Sequence, residues 1–319
     1  MEKDLAPIVL FVYNRPVHTK KVVEGILANP EAKDSVLYIF ADGPKENATE
    51  DTLAKIAQVR NYIRTISGFK EVIIDESDKN RGLAPATIRA MTMVLNKHDR
   101  VIMIEDDDYP SPYFLAYENE CLEKYKDDKR VWYIVGYCDT NEVKPRQGDD
   151  VFMTCSGSSW GFGTWKRCWE KTIWDVDDLR GIFRHRSVIY GFNNYCGSHV
   201  SEIMIALLNG KNSSWSIRFG FAFYLNKGFA LMPNKSLVVN IGFDGTGTHC
   251  GIMDQSIEMM DHKPVIPEIV KFDKKRNRQI KKQFVPRRFV HRFLVSFGVP
   301  VYTFIRRCIT NHYIIKDTL

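Results

Sequence analysis

No two cysteines of this chain form a Cys-x-x-Cys pair. The seven, at positions 121, 138, 155, 168, 196, 250 and 308, are scattered and odd in number. That spacing argues against a disulfide framework or a zinc site and suits a reducing compartment. Long apolar runs are missing too. The longest uncharged one near the end, "FLVSFGVPVYTFI" (293–305), falls short of the ~20 residues a bilayer span needs. The opening "MEKDLAPIVLFVYNRP" has no basic segment followed by a long apolar one, so no secretion signal is expected. Internal repeats are also absent. These absences lead us to expect a cytoplasmic protein, docked at most on the inner face of the plasma membrane.

What is present is ordinary in amount and uneven in placement. With 319 residues the chain has ample length for a core, as one large domain or two intimate ones. Its 44% hydrophobic and 26% charged residues suit a soluble globular protein. The net charge of +6 is concentrated late, in "KKRNRQIKKQFVPRRFVHRF". A nucleic-acid binder would spread or stripe that charge over a folded face, so no nucleic-acid partner is expected. Here arginines alternate with Phe and Val, a mixture suited to a membrane surface or to a helix packed on the body.

The first third alternates two patterns. "PIVLFVY" (7–13), "SVLYIFA" (35–41), "EVIID" (71–75) and "RVIMIE" (100–105) are short and apolar, hence strands. Between them, 18–28, 49–66 and 86–96 carry apolar residues at helical spacing. Val22, Val23, Ile26 and Leu27 make one expected core stripe, and Leu53, Ile56, Ala57, Ile63 and Ile66 another. This order predicts βαβ units and an α/β fold with a mostly parallel sheet flanked by helices. Ligands of such sheets bind beyond the carboxyl ends of the strands. There the sequence places "YNRP", "DGPK", "DESDKNRGLA" and "EDDDYPSP". Further on, Ser111 reads as an N-cap with Pro112 opening a helix, and "VWYIVGY" (131–137) as another strand. We expect a boundary near Pro264. The body, 1–263, would divide into a nucleotide-binding half (1–107) and an acceptor half (108–263), followed by a basic, amphipathic extension (264–319).

Glu105, Asp106, Asp107 and Asp108 stand side by side at the end of the fourth strand. Like charges this close need a compensating cation or must take up protons. Oxygen donors of this type suit Mg²⁺ or Mn²⁺, with phosphates completing the shell. The plainer reading is an acidic turn that complements the start of the following helix.

In their order, "VYNRP", "FADGPK", "NRGLA" and "IEDDDYPSPYFL" resemble motifs of GT-A-fold nucleotide-sugar glycosyltransferases of bacterial surface-polysaccharide type. These are similar to the N-acetylglucosaminyltransferase family with a Glu-Asp-Asp motif. The resemblance continues through "WGFGTWKRCWE", "WSIR" and "PNKSLVVNIGFDGTGTHC", over roughly residues 6–250. It implies a Rossmann-like GT-A fold and a Mn²⁺- or Mg²⁺-dependent hexosyl- or N-acetylhexosaminyltransferase. The donor would be a nucleoside-diphosphate sugar, a UDP-sugar foremost, and the acceptor a glycan or a lipid-linked one.

Residue by residue, the resemblance implies that Arg15 and Asp42 contact base and ribose, and that Asn80 and Arg81 line the donor pocket. It places Glu105 and Asp106 on the sugar–ribose side, Asp107 on the metal, and His249 on metal or diphosphate. Trp160 is the tryptophan expected to face the ligand, with Trp165 and Trp169 in the core. Arg15 and Asp42 also read as ordinary turn residues, and His249 as a loop histidine. In one place the chain departs from the pattern. Ser213 and Ser214 precede Trp215 where inverting members carry an acidic base. Three readings follow: Asp244 or Glu202 takes that role, Asp244 foremost; the reaction is retaining and needs no such base; or catalysis is weakened. Two rival readings are a sugar nucleotidyltransferase, whose Gly-rich basic loop is missing after the first strand, and a non-catalytic sugar-nucleotide- or glycan-binding partner in an assembly complex.

Overall fold

The structure is a computed structural model and describes residues 4–141, 143, 148, 150–197, 199–245 and 257–283. Four strands form one half of its main sheet: β1 (Ile8–Val12), β2 (Val36–Ala41), β3 (Glu71–Glu76) and β4 (Arg100–Glu105). They pair in parallel in the order β3-β2-β1-β4. The connecting helices are α1 (Pro16–Leu27), α2 (Glu50–Ile63) and α3 (Leu83–His98). All five residues of β1 are buried, as a strand covered on both faces must be.

The second half is not parallel throughout. β8 (Phe162–Trp165) runs antiparallel between β4 and β6 (Val131–Val135). Beyond β6 come β9 (Phe229–Pro233), parallel to it, and β7 (Val151–Thr154), an antiparallel edge. The protein is therefore a mixed α/β fold with a central eight-stranded sheet flanked by helices. Remaining helices are α4 (Phe114–Lys124), α5 (Lys166–Trp169), α6 (Val176–Phe183), α7 (Arg186–Cys196), α8 (His199–Leu208), α9 (Trp215–Leu225) and α10 (Lys274–Gln283). A two-stranded ribbon pairs β5 (Asp108–Pro110) with β10 (Val238–Asn240).

Strand order positions the site. The chain steps from β1 outward to β3, then returns to β4 on the far side of β1. Right-handed crossovers then put α1 and α2 on one face and α3 on the other, and a crevice opens between the carboxyl ends of β1 and β4. Packing agrees: α1 touches α2, while α3 touches α5 and α9.

Several local expectations need correction. Leu27 and Leu53 are exposed, as is Ala57. The buried stripe of α2 is Ile56, Val59 and Ile63, because a fourteen-residue helix turns its Leu53 side away from the sheet. Helix α4 starts at Phe114, not Pro112, and Ser111 Oγ instead accepts from the Tyr113 amide, 3.3 Å away, in the preceding turn. Trp165 and Trp169 are core residues, as expected. His249 and the tail from 284 onward lie outside the described residues. Among the described residues no helix is long and apolar enough to cross a membrane.

Candidate active site

The crevice between β1 and β4 holds charge of both signs. Arg15, the last residue before α1, reaches across it. Its Nη1 donates to Asp107 Oδ2 at 2.9 Å, and its Nη2 to Asp106 Oδ1. Burial alone would lower the pKa of the guanidinium, but the two carboxylates overcome this and hold it above its ordinary value. Asp106 and Asp107 are each 5% exposed. Burial raises the pKa of Asp106, and Arg15 offsets part of that rise. Among the described residues Glu105 has no such partner. Desolvation, then the charges of Asp107 and Asp106, push it up to about 8.

Asp108, last of the four acids, is fully buried and ties three elements together. Its Oδ2 accepts from the Glu105 amide at 3.2 Å and the Gly161 amide at 3.1 Å, and its Oδ1 accepts from Asn240 Nδ2 at 3.4 Å. The end of β4, the start of β8 and the ribbon strand β10 thus share one carboxylate. Burial, then the charge of Glu105, raises its pKa well above the usual range. Asp107 differs in one respect. Its Oδ1 is buried with no hydrogen-bond partner among the described residues.

The chain after β10 covers this cluster. The Ile241 amide donates to the Asp107 carbonyl at 2.7 Å. A Cβ on Gly242 would collide with Asp107 Oδ2, so only glycine lets the backbone pass so close. Two residues on, Asp244 Oδ2 lies 3.1 Å from His18 Nε2. His18 was not singled out in the sequence, although it stands three positions after Arg15 in the first turn of α1, so both side chains meet the crevice. The remaining expected base, Glu202, lies in the first turn of α8, which packs on α6, α7 and α9. Of the two serines that stand where an acid was expected, Ser214 caps a helix: its Oγ accepts from the Ile217 amide at 3.3 Å, at the start of α9.

Asp42, Asn80 and Arg81 knit the loops that follow β2 and β3. Asp42 accepts from the Arg81 amide at 2.9 Å and the Gly82 amide at 3.3 Å. Asn80 Nδ2 donates to the Gly43 carbonyl at 2.9 Å, and Arg81 Nε to Ser77 Oγ at 3.1 Å. Gly82, at φ +77, gives α3 its entry, a backbone state that side chains disfavour. Trp160 is half-buried, edge-on to Tyr137 at 4.6 Å and to Phe243 at 5.9 Å. The structure thus brings Arg15, Glu105, Asp106, Asp107, Asp244 and the unforeseen His18 together. Trp160 joins their rim through Phe243, while Asp42, Asn80 and Arg81 form a neighbouring group.

A divalent cation fits part of this arrangement. Among the described residues no three His, Cys, Asp or Glu side chains form a ready cage. Mg²⁺-type ions, however, are commonly held by one or two carboxylates plus substrate phosphates. Asp107, with its unpartnered buried oxygen, supplies a donor of that kind.

No family model matches the chain, and no curated protein does. Among solved structures it is similar to the mannosyltransferase PcManGT from Pyrobaculum calidifontis in complex with GDP-Man and Mn²⁺. That likeness has 14% identity over 52% of this chain and 46% of the other, at TM-score 0.37. Similarity to S. aureus TarS has 12% identity over 73% of this chain and 36% of that one, at TM-score 0.39. For TarS 1-349 the figures are 11%, 75% and 61%, again at TM-score 0.39. The chain spans less than two thirds of the length of each of these proteins.

Proposed function

We propose that this chain is a metal-dependent glycosyltransferase of the GT-A type, acting in surface-polysaccharide synthesis. It would move a hexosyl or N-acetylhexosaminyl group from a nucleoside-diphosphate sugar, a UDP-sugar foremost, to a hydroxyl of a glycan or lipid-linked acceptor. The observation that carries this reading is the buried Arg15–Asp106–Asp107 cluster in the crevice between β1 and β4. A sheet of this order binds its ligand there.

Asp107 would hold Mn²⁺ or Mg²⁺, with His249 supplied from the segment outside the described residues. When bound, such a cation neutralises charge on a departing diphosphate. The protein's own residues do the rest. Arg15 balances Asp106 and Asp107 while no donor is present, and its guanidinium has the fork geometry that phosphate oxygens accept. Glu105 keeps its proton over much of the neutral range, so it can donate as well as accept a hydrogen bond from a ribose hydroxyl. Asn80 and Arg81, held by Asp42, border the nucleotide side. Trp160 offers an apolar ring beside the sugar. Asp244 is our first choice to take the acceptor proton as the sugar–diphosphate bond breaks and the new glycosidic bond forms; Glu202 is the second. Its pairing with His18 orients the Asp244 carboxylate at the rim, where it is 45% exposed.

The test is a panel of nucleotide sugars, with Mn²⁺ or EDTA, read by melting temperature and by release of nucleoside diphosphate. A Mn²⁺-dependent rise with one donor, together with release, supports the reading. Stabilisation without release, over a panel of acceptors, would favour the non-catalytic binding partner.

A further inference from the structure

The edge of the sheet opposite β3 carries a second, unused surface. Residues after Pro264 run along β7: the Met153 amide donates to the Lys271 carbonyl at 2.9 Å, and the Asp273 amide to the Met153 carbonyl at 3.1 Å. Asp273 then caps α10, accepting from the amides of Lys275 at 2.9 Å and Arg276 at 3.0 Å. The inner face of α10 is docked firmly. Arg276 is 3% exposed and lies over the Phe152 ring, 4.5 Å from its centroid. Asn277 Oδ1 accepts from Thr154 Oγ1 at 2.7 Å and from the Cys155 amide at 2.9 Å, and Ile280 is buried.

The outer face is different. Lys274, Lys275, Arg278 and Lys282 are exposed along one stripe at helical spacing, and "KKRNRQIKKQ" contains no acid. Among the described residues none of the four is in an ion pair. Like charges at this spacing oppose a helix in isolation, so packing on β7 is what holds them in one row. The segment leading in leaves Val265 71% and Ile269 73% exposed. A row of cations on one helix, with exposed aliphatic side chains on the segment that leads into it, matches an anionic lipid surface: headgroups for the cations, the acyl boundary for Val265 and Ile269. A nucleic acid would use the charge but leave the aliphatic residues without a partner.

We infer that the outer face of α10, with Val265 and Ile269, is the surface by which this protein docks on an anionic phospholipid bilayer. The inference does not depend on the catalytic reading. Through Arg276, Asn277 and Ile280 this surface is built onto the β7 edge of the sheet.

The test uses the full chain and sedimentation with phosphatidylcholine vesicles with or without about 25% phosphatidylglycerol. Wild type is expected to bind only the anionic vesicles, and to release as salt rises from about 0.1 M to about 0.5 M. K274Q/K275Q/R278Q/K282Q should lose at least ~10-fold in partitioning with an unchanged melting temperature. V265N/I269N should weaken binding in a way that salt does not reproduce. A control with the exposed lysines of other surfaces neutralised, K33Q/K55Q/K129Q/K211Q, should bind as wild type. Wild-type binding by the α10 variant overturns the inference, since residues 284–319 would then suffice. So does equal loss in the control, or tight binding to RNA with none to vesicles. Should the α10 variant unfold, the salt response of wild type and the V265N/I269N variant decide in the same way.

Discussion

Asp107 and Asp108 are neighbours of identical chemistry with opposite employment, and this separates their mutants. Asp108→Ala removes the acceptor of two buried amides and the Asn240 side chain. Each orphaned group costs about 1–3 kcal/mol, so the melting temperature should fall clearly, by several degrees, with or without metal. Asp107→Ala removes one oxygen with no partner among the described residues and one that accepts from Arg15, which keeps Asp106. Its apo melting temperature should fall less than that of Asp108→Ala, while the Mn²⁺- and donor-dependent rise disappears. Equal behaviour of the two variants would refute the division. Glu105 offers a pH signature. Its pKa in the folded protein, about 8, stands above the ordinary 4.5, so the folded state holds the extra proton between these values. Stability from this group is therefore present below about 4.5 and is lost as pH rises through about 8. In EDTA, Glu105→Gln should become progressively more stable than wild type across that window. A difference in melting temperature that stays constant from pH 4 to 9 would contradict this.

At the scale of elements, caps and loop ties decide where helices start. Asp42 lies at the end of β2, yet it serves the entry of α3, some forty residues away, through the amides of Arg81 and Gly82. Asp42→Ala should cost about 1–2 kcal/mol, the scale of a lost helix cap, whether or not a nucleotide is bound. Asp42→Asn, which keeps an acceptor oxygen, should recover most of it. Chemical denaturation of the two variants checks the prediction. If Asp42 also contacts a nucleotide, Asp42→Asn retains the fold and shows the loss only in donor affinity. Ser214 makes the same point: a position that looked like a vacated catalytic one is occupied by the cap of α9.

For the whole molecule, the two halves share one sheet, joined where β8 pairs with β4. Residues 271–273 hydrogen-bond along β7 and α10 docks beside them. A chain ending at 283 keeps these contacts. One ending at 263 loses Val270 and Ile280 from the core and leaves the buried Thr154 hydroxyl without its Asn277 partner. Two buried aliphatic side chains and one such bond amount to several kcal/mol, enough to unfold a marginal protein. Circular dichroism melts of the two truncations test this. Equal stability would mean that α10 is an appendage.

Periodicity and strand-end chemistry carried much of this protein in the sequence itself. Continuous apolar runs such as Ile8–Val12 and 101–104 read as covered strands, and the acidic turn after the latter had to lie at the sheet's ligand edge. The antiparallel insertion of β8, and the choice between Leu53 and Val59 as core, depend on which elements meet, and no local window contains that. The same holds for the acids. Sequence shows four carboxyl groups in a row; only packing decided that Asp108 faces inward to three donors, that Asp106 and Asp107 face Arg15, and that Asp107 keeps one oxygen without a partner among the described residues. Burial and partner geometry, which arise from residues as far apart as 15, 107 and 242, determine what a carboxylate does.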